Sequence, residues 1–333
     1  MNKHANPIVV EVLRGDVVES VHRASIMVAD AGGGGVAAWG DVDRPAFPRS
    51  SLKPIQALAL VETGAAQAFG VTEQELALAA ASHGGEPQHT DRVRAWLARL
   101  GLDESALECG AHAPSHEPSH RALMAAGSVP NPLHNNCSGK HAGFLTIARH
   151  LGVPVQGYIH PDHPVQQRVT AIIEDMTGCV AIPNGIDGCG IPAFALPLVA
   201  TATAMAQLAD PAILSPERRH AAHAVVAAMR SHPTLVAGTG RLDSALMQAV
   251  PDLAVKGGAE GFHVAIVADQ GLGIAVKVDD GAKRGAEVAI LAVLDRLGVL
   301  DDRAKAMLAD WMEPPIKNVA GLVVGKMRAV LPP

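Results

Sequence analysis

Alternating apolar and polar positions open the chain. Ile8 to Leu13 and Val17 to Ala29 alternate and are rich in Val and Ile, with Arg14-Gly15-Asp16 between them, which predicts a hairpin. Gly32 to Gly35 reads as a second turn, leading to a short strand around Val36 to Trp39. Four glycines also suggest a phosphate cradle, but no Gly-Lys-Ser/Thr follows and no helix opens there, so the turn is the better reading. Helical spacing then takes over. A buried helix runs from Ser50 or Ser51 to Thr63-Gly64. Thr72 and Glu75 form a capping-box pattern that opens a second, Glu73 to Ala81. Asp91 to Leu100 is amphipathic, Cys109 to Pro132 reads as a loop, and Phe144 to Leu151 and Pro161 to Met176 read as helices. Ile182 to Pro192 is a rigid glycine-rich turn. Helices follow at Ala200 to Leu208, Pro216 to Arg230 and Asp243 to Ala249, with a loop at His232 to Arg241. Phe262 to Ala268 and Gly273 to Val278 pair as a hairpin. Gly281 to Leu297 and Ala304 to Trp311 are helical, and Val319 to Val330 is a last strand. The pattern predicts a mixed α/β (α+β) catalytic unit over residues 1–333. Strands from both chain ends lie in one central sheet with flanking helices, around a mostly helical middle.

Composition narrows the function. The 333 residues are 48% hydrophobic and 18% charged, enough for one large core or two halves sharing one. Aromatics at 3% and a net charge of -6, with no long basic run, argue against a nucleic-acid partner and for a small molecule. Met1 to Asp16 has no continuous apolar stretch of the signal-peptide kind. The longest apolar stretch, Ile191 to Met205, is broken by Pro192 and Pro197 and is too short to span a bilayer. A cytoplasmic protein without a membrane partner is the expectation, with Cys109, Cys137, Cys179 and Cys189 free of disulfides.

Candidate chemistry sits at Arg49-Ser50-Ser51-Leu52-Lys53-Pro54. On a helix Ser50 and Lys53 are one turn apart, the Ser-x-x-Lys arrangement in which a lysine helps deprotonate a serine nucleophile. Such matches are common by chance on exposed helix faces. Ser82 ends a buried, Ala-rich helix before two glycines, where its hydroxyl either faces a cleft or bonds the last helix carbonyls. Lys256-Gly257-Gly258 precedes a hairpin strand. Ser50/Lys53, Ser82 and Lys256 thus follow the motif order of the β-lactamase and penicillin-binding enzymes. Two lysines converging on two serines would lower each other's pKa and leave one able to accept a proton. Tyr158, the only tyrosine, makes a Ser-Tyr pairing a poor alternative.

Cys137 and Cys189 each lie in a Gly-flanked polar segment. Thiolates are good zinc ligands, yet these two form no Cys-x-x-Cys, and two small buried cysteines behind tight turns is the competing reading.

Six segments in order carry a resemblance. They are Arg49 to Pro54, Ser82-His83-Gly84-Gly85-Glu86, Asn136-Cys137-Ser138-Gly139-Lys140-His141-Ala142-Gly143, Asp187-Gly188-Cys189-Gly190, Gly238-Thr239-Gly240-Arg241 and Lys256 to Gly261. Together they resemble the thermolabile, Rhizobium-etli-type (class 3) L-asparaginases across nearly the whole chain. The resemblance implies a fold similar to serine β-lactamases, penicillin-binding proteins and glutaminases, and an amidohydrolase that converts L-asparagine to aspartate and ammonia, usually as a homodimer. It implies two Ser-Lys pairs, Ser50 with Lys53 and Ser82 with Lys256, with Ser50 the nucleophile. It further implies a zinc ion on Cys137, Lys140 and Cys189, with Asp187 near it and His141 as the alternative ligand, in a role that aids substrate binding. Arg49, Lys140 and His141 are candidates for holding the substrate carboxylate. The rival expectations are another serine amidase, glutaminase or β-lactamase-like, and a non-catalytic zinc-binding protein of the same fold.

Overall fold

The computed structural model describes residues 5–180 and 184–333. Ile182 and Pro183 of the expected rigid turn, and the first four residues, lie outside them. Among the described residues ten strands form. They are β1 (Ile8–Arg14), β2 (Val17–Asp30), β3 (Gly35–Trp39), β4 (Asn184–Ile186), β5 (Pro192–Phe194), β6 (Leu253–Gly257), β7 (Phe262–Val267), β8 (Leu272–Val278), β9 (Pro315–Lys317) and β10 (Val323–Ala329).

The chain divides into two compact units. The first comprises the chain up to Ser51 together with Ala195–Ile213 and Ala245–Pro333. It holds an eight-stranded antiparallel sheet in the order β6-β7-β8-β2-β1-β10-β9, with β3 also paired to β2. Strands from both chain ends do share this sheet, as the alternation predicts. β2 joins the two halves. Its exposed first residues pair with β1, and its second half, Ala24 to Asp30, buried as far as Ala29, pairs with β8. β7 is buried at every position, His263 included, so Val264 to Val267 reads as a continuous apolar run instead of an alternation. Helix Leu198–Ala209 packs on β2, β7 and β8, and helix Lys283–Arg296 on β7, β8, β1 and β10.

The second unit, Leu52–Phe194 and Leu214–Ser244, is mostly helical. Helix Lys53–Glu62 lies at its centre against helices Ser138–Leu151, Pro164–Thr177 and Pro216–Ser231. Arg218 fixes this packing by a two-pronged ion pair to Glu62 and a further bond to Asp175. The Thr72–Glu75 capping box forms as expected, and Glu75 is also gripped twice by Arg99 at 2.7 Å.

Several elements differ from the sequence expectation: strands β6 and β9 are additional, and the helix expected from Ser50 or Ser51 begins at Lys53, after a 3₁₀ turn. Glu117–Ala125 is a helix inside the expected loop Cys109 to Pro132. None of its residues is buried, so it carries no apolar stripe by which to be read. The helix expected from Phe144 starts earlier, at Ser138, because its polar first turns are buried with the rest.

Candidate functional site

Each unit carries part of the expected constellation. In the first, Arg49, Ser50 and Ser51 form a 3₁₀ turn, Arg49–Leu52, that leads into helix Lys53–Glu62. Arg49 has φ +49°, a left-handed conformation that a non-glycine residue adopts only where the surroundings enforce it. Ser50 is half-buried. The neighbouring Ser51 hydroxyl is committed, donating to the Lys256 carbonyl at 3.0 Å. Lys256, the last residue but one of β6, is 1% exposed and donates from Nζ to the Gly257 carbonyl at 2.7 Å.

The second unit gathers Lys53, Ser82, Cys137, Lys140, His141, Asp187 and Cys189. Lys53, the first residue of its helix, is fully buried. Its Nζ donates to Ser82 Oγ at 2.8 Å and to the Ala81 carbonyl. No carboxylate bonds it among the described residues. Burial lowers its pKa from the ordinary lysine value, partly offset by Cys137 and assisted by Lys140. The bond joins one member of each expected Ser-Lys pair.

Ser82 itself is half-buried, just past helix Glu73–Ala79. Its amide donates to the Val236 carbonyl at 2.9 Å, and the His83 amide donates to the Asn136 carbonyl at 3.2 Å. The His83 ring accepts from the Gly85 amide at Nδ1, so Nε2–H donates to Ser138 Oγ at 2.9 Å. By the same logic His89 accepts the Glu86 amide at Nδ1 and donates from Nε2 to the Thr234 carbonyl. The two rings stack at 4.7 Å. Burial pushes both pKa values below the ordinary histidine value.

Cys137 caps the N-terminus of helix Ser138–Leu151, where the helix dipole favours a thiolate. The helix comes this close because residue 139 is glycine. A Cβ there would sit 2.5 Å from the Leu78 carbonyl oxygen. Cys189 stands in the turn between β4 and β5, held by Asp187 and Ile191 backbone bonds. Lys140 Nζ donates to Cys189 Sγ at 3.2 Å. All three groups, Cys137, Lys140 and Cys189, are 3–4% exposed. The bond from Cys189, helped by Lys53 and Lys140 against burial, lowers the Cys137 pKa well below the thiol value. The same bond, and burial, raise that of Cys189. Burial works against charge on Lys140, but Cys189, Cys137 and Asp187 outweigh it and hold the ammonium. Among the described residues no cluster of three or more His, Cys, Asp or Glu side chains forms a metal site. The convergent set is two sulfurs and an amine, a donor set that suits zinc once Lys140 and Cys189 give up their protons.

His141 is fully buried, with Nδ1 2.7 Å from the Tyr158 hydroxyl and Nε2 without a hydrogen-bond partner among the described residues. Burial, then Lys140 and Lys53, push its pKa well down. Tyr158 is buried too, and burial raises its pKa. The cysteines are free of disulfides, and burial raises the Cys109 pKa to about 12. Glu86, His89 and Thr239, whose bonds support the Ser82 segment, were invisible as a group in the sequence. The Gly-Thr-Gly-Arg and His-Gly-Gly-Glu motifs were their only trace.

The sequence profile of the L-asparaginase II family matches residues 10–329. The chain belongs to the L-asparaginase II family. No curated protein sequence matches it. Among solved structures it is similar to a β-lactamase from Mycobacterium bovis, 14% identical over 87% of this chain and 95% of that one, with a TM-score of 0.42. A β-lactamase from Burkholderia ambifaria is 15% identical over 83% and 95%, TM-score 0.37. A simvastatin synthase mutant from Aspergillus terreus is 14% identical over 82% and 93%, TM-score 0.36. These likenesses are distant; the mixed α/β fold, with its central sheet and flanking helices, stands on the strand order itself. Family membership makes a small-molecule amidohydrolase of this chain. No helix among the described residues is long and apolar enough to cross a membrane.

Proposed function

We propose that this chain is an L-asparaginase of the Rhizobium-etli type (class 3), acting as one catalytic unit. It hydrolyses the side-chain amide of L-asparagine through an acyl-enzyme on Ser50. The observation that carries the proposal is Lys53, buried without a carboxylate partner among the described residues and bonded to the Ser82 hydroxyl at 2.8 Å. A lysine so placed is a costly structural choice and a useful proton acceptor. That the Ser51 hydroxyl is committed to a backbone carbonyl supports Ser50 as the nucleophile.

In this mechanism the neutral amine of Lys53 accepts the Ser50 hydroxyl proton as Oγ attacks the side-chain amide carbon. Backbone amides of the turn around Ser50 receive the developing oxyanion. The proton passes through the network of Lys53, Ser82 and Lys256 to the leaving nitrogen, and ammonia departs. Water, losing a proton to the same network, then releases aspartate and regenerates Ser50. Arg49, Lys140 and His141 are assigned to the substrate carboxylate, with Asp187 beside them. Cys137, Lys140 and Cys189 would hold a zinc ion, whose positive charge favours binding of the anionic end of the substrate. A homodimer in the cytoplasm completes the proposal.

Ammonia release from L-asparagine, measured beside L-glutamine and a chromogenic β-lactam, tests it. The two amides differ by one methylene, worth about 1–3 kcal/mol in a pocket. Faster turnover of asparagine supports the proposal. Turnover of glutamine or the lactam alone would replace it with a related serine amidase, and zinc binding without turnover of any substrate would make the chain a binding protein.

A further inference from the structure

Glu86 is 6% exposed, at the start of helix Pro87–Arg99, and its carboxylate reaches far along the chain. Oε1 accepts the Thr239 amide at 2.8 Å, and Oε2 accepts the Thr239 hydroxyl at 2.7 Å and Gln88 Nε2 at 3.0 Å. The approach leaves no room for a side chain between them. Gly238 has φ +113°, and a Cβ on it would lie 2.7 Å from Glu86 Oε1 and 3.2 Å from the Gly84 amide nitrogen.

The same helix turn grips the segment a second time, through the His89 Nε2 bond to the Thr234 carbonyl at 2.9 Å. Between the two anchors lies Val236, whose carbonyl receives the Ser82 amide at 2.9 Å. Ser244 adds support from the far side, donating to the Gly238 carbonyl at 2.7 Å. The segment is therefore a strut clamped at Thr234 and Thr239, with its midpoint on the backbone of the serine that Lys53 holds.

We propose that Glu86 is a positioning residue for Ser82, acting through Thr239 and Val236. The inference rests on the reading of Ser82 as part of the hydrolytic proton network. A buried carboxylate used only for packing has cheaper substitutes, since burial opposes its ionised form. The Thr239 bonds favour that form and keep the carboxyl ionised. Releasing either partner frees the strut, and a small displacement of a reacting group costs rate more than it costs binding.

The test measures hydrogen exchange of the Ser82 amide under native conditions, beside ammonia release and Tm, in wild type and in Glu86→Gln, Thr239→Val and Thr239→Ser. In Glu86→Gln and Thr239→Val we expect exchange at Ser82 and over residues 234–239 to be about tenfold faster or more, with helix Pro164–Thr177 unchanged. In the same variants kcat falls about tenfold or more while KM moves by less than about twofold. Thr239→Ser restores most of the rate and the protection, because it keeps the hydroxyl. The double variant Glu86→Gln/Thr239→Val loses no more than either single one. Unchanged Ser82 exchange overturns the proposal, as does faster exchange with full kcat, or uniform loss of protection across the unit. If wild type releases no ammonia from L-asparagine, the functional reading has failed, and the exchange measurement alone decides whether Glu86 holds Ser82. Should Glu86→Gln not fold, Thr239→Val decides the same question by the same measurements.

Discussion

Lys53 Nζ and Ser82 Oγ are hydrogen-bonded at 2.8 Å, with the lysine entirely withdrawn from solvent. Taking an amine out of water is unfavourable, and among the described residues no carboxylate compensates it. The chain keeps at this position a group that a hydrophobic residue of similar length would replace without loss of packing.

That contrast yields a first prediction. Lys53→Met lowers turnover by about a hundredfold to ten-thousandfold, the usual range for loss of a general base. Folding stability, read from thermal unfolding, stays within about 1 kcal/mol of wild type or rises. Retained turnover, or collapse of the fold, would show that the amine serves packing.

The sequence made much of this visible. The six motifs carry every residue of the two clusters, and the paired strands from both chain ends are legible from their alternation. The connection of Lys53 to Ser82 is not, because motif order pairs each serine with its own lysine while the structure links across the pairs. Helix Glu117–Ala125 escaped because it buries nothing. Glu86 and Thr239 stand 153 positions apart, and a bond of that range leaves no local pattern.

Acid should destabilise the protein well above the carboxylate range. His83 and His89 have pKa values pushed below the ordinary 6.5, first by burial. An unfolded chain binds protons on both rings at a pH where the folded chain does not. Their contribution is therefore complete above about pH 6.5 and declines as pH falls below it. Glu86, whose Thr239 bonds outweigh burial and lower its pKa, adds a loss of the same sign below about pH 4.5. Thermal unfolding between about pH 8 and about pH 5 should show Tm falling with acid, and a flat Tm would contradict the neutral stacked pair.

Zinc binding should release protons. Lys140 and Cys189 are both held protonated by their surroundings, and each must give up its proton to ligate. Titration calorimetry in two buffers of different ionisation enthalpy is expected to report roughly one or more protons released per zinc at neutral pH. Cys189→Ala should abolish high-affinity binding. Binding with no buffer dependence would exclude this ligand set.

Gly139→Ala isolates the close approach of two helices. The added methyl meets the Leu78 backbone oxygen at 2.5 Å, which cannot swing aside as a side chain would. A loss of about 1–3 kcal/mol or more in unfolding free energy is expected, with lower zinc affinity because Cys137 and Lys140 flank the displaced residue. A neutral effect on both would show that the helices separate freely.

The most direct measurement is ammonia release from L-asparagine by wild type and Ser50→Ala, each with and without added zinc. Turnover should vanish in Ser50→Ala at any zinc concentration, while zinc mainly lowers KM in wild type. Full activity of Ser50→Ala would contradict the account and move the nucleophile to Ser82 or to a water molecule.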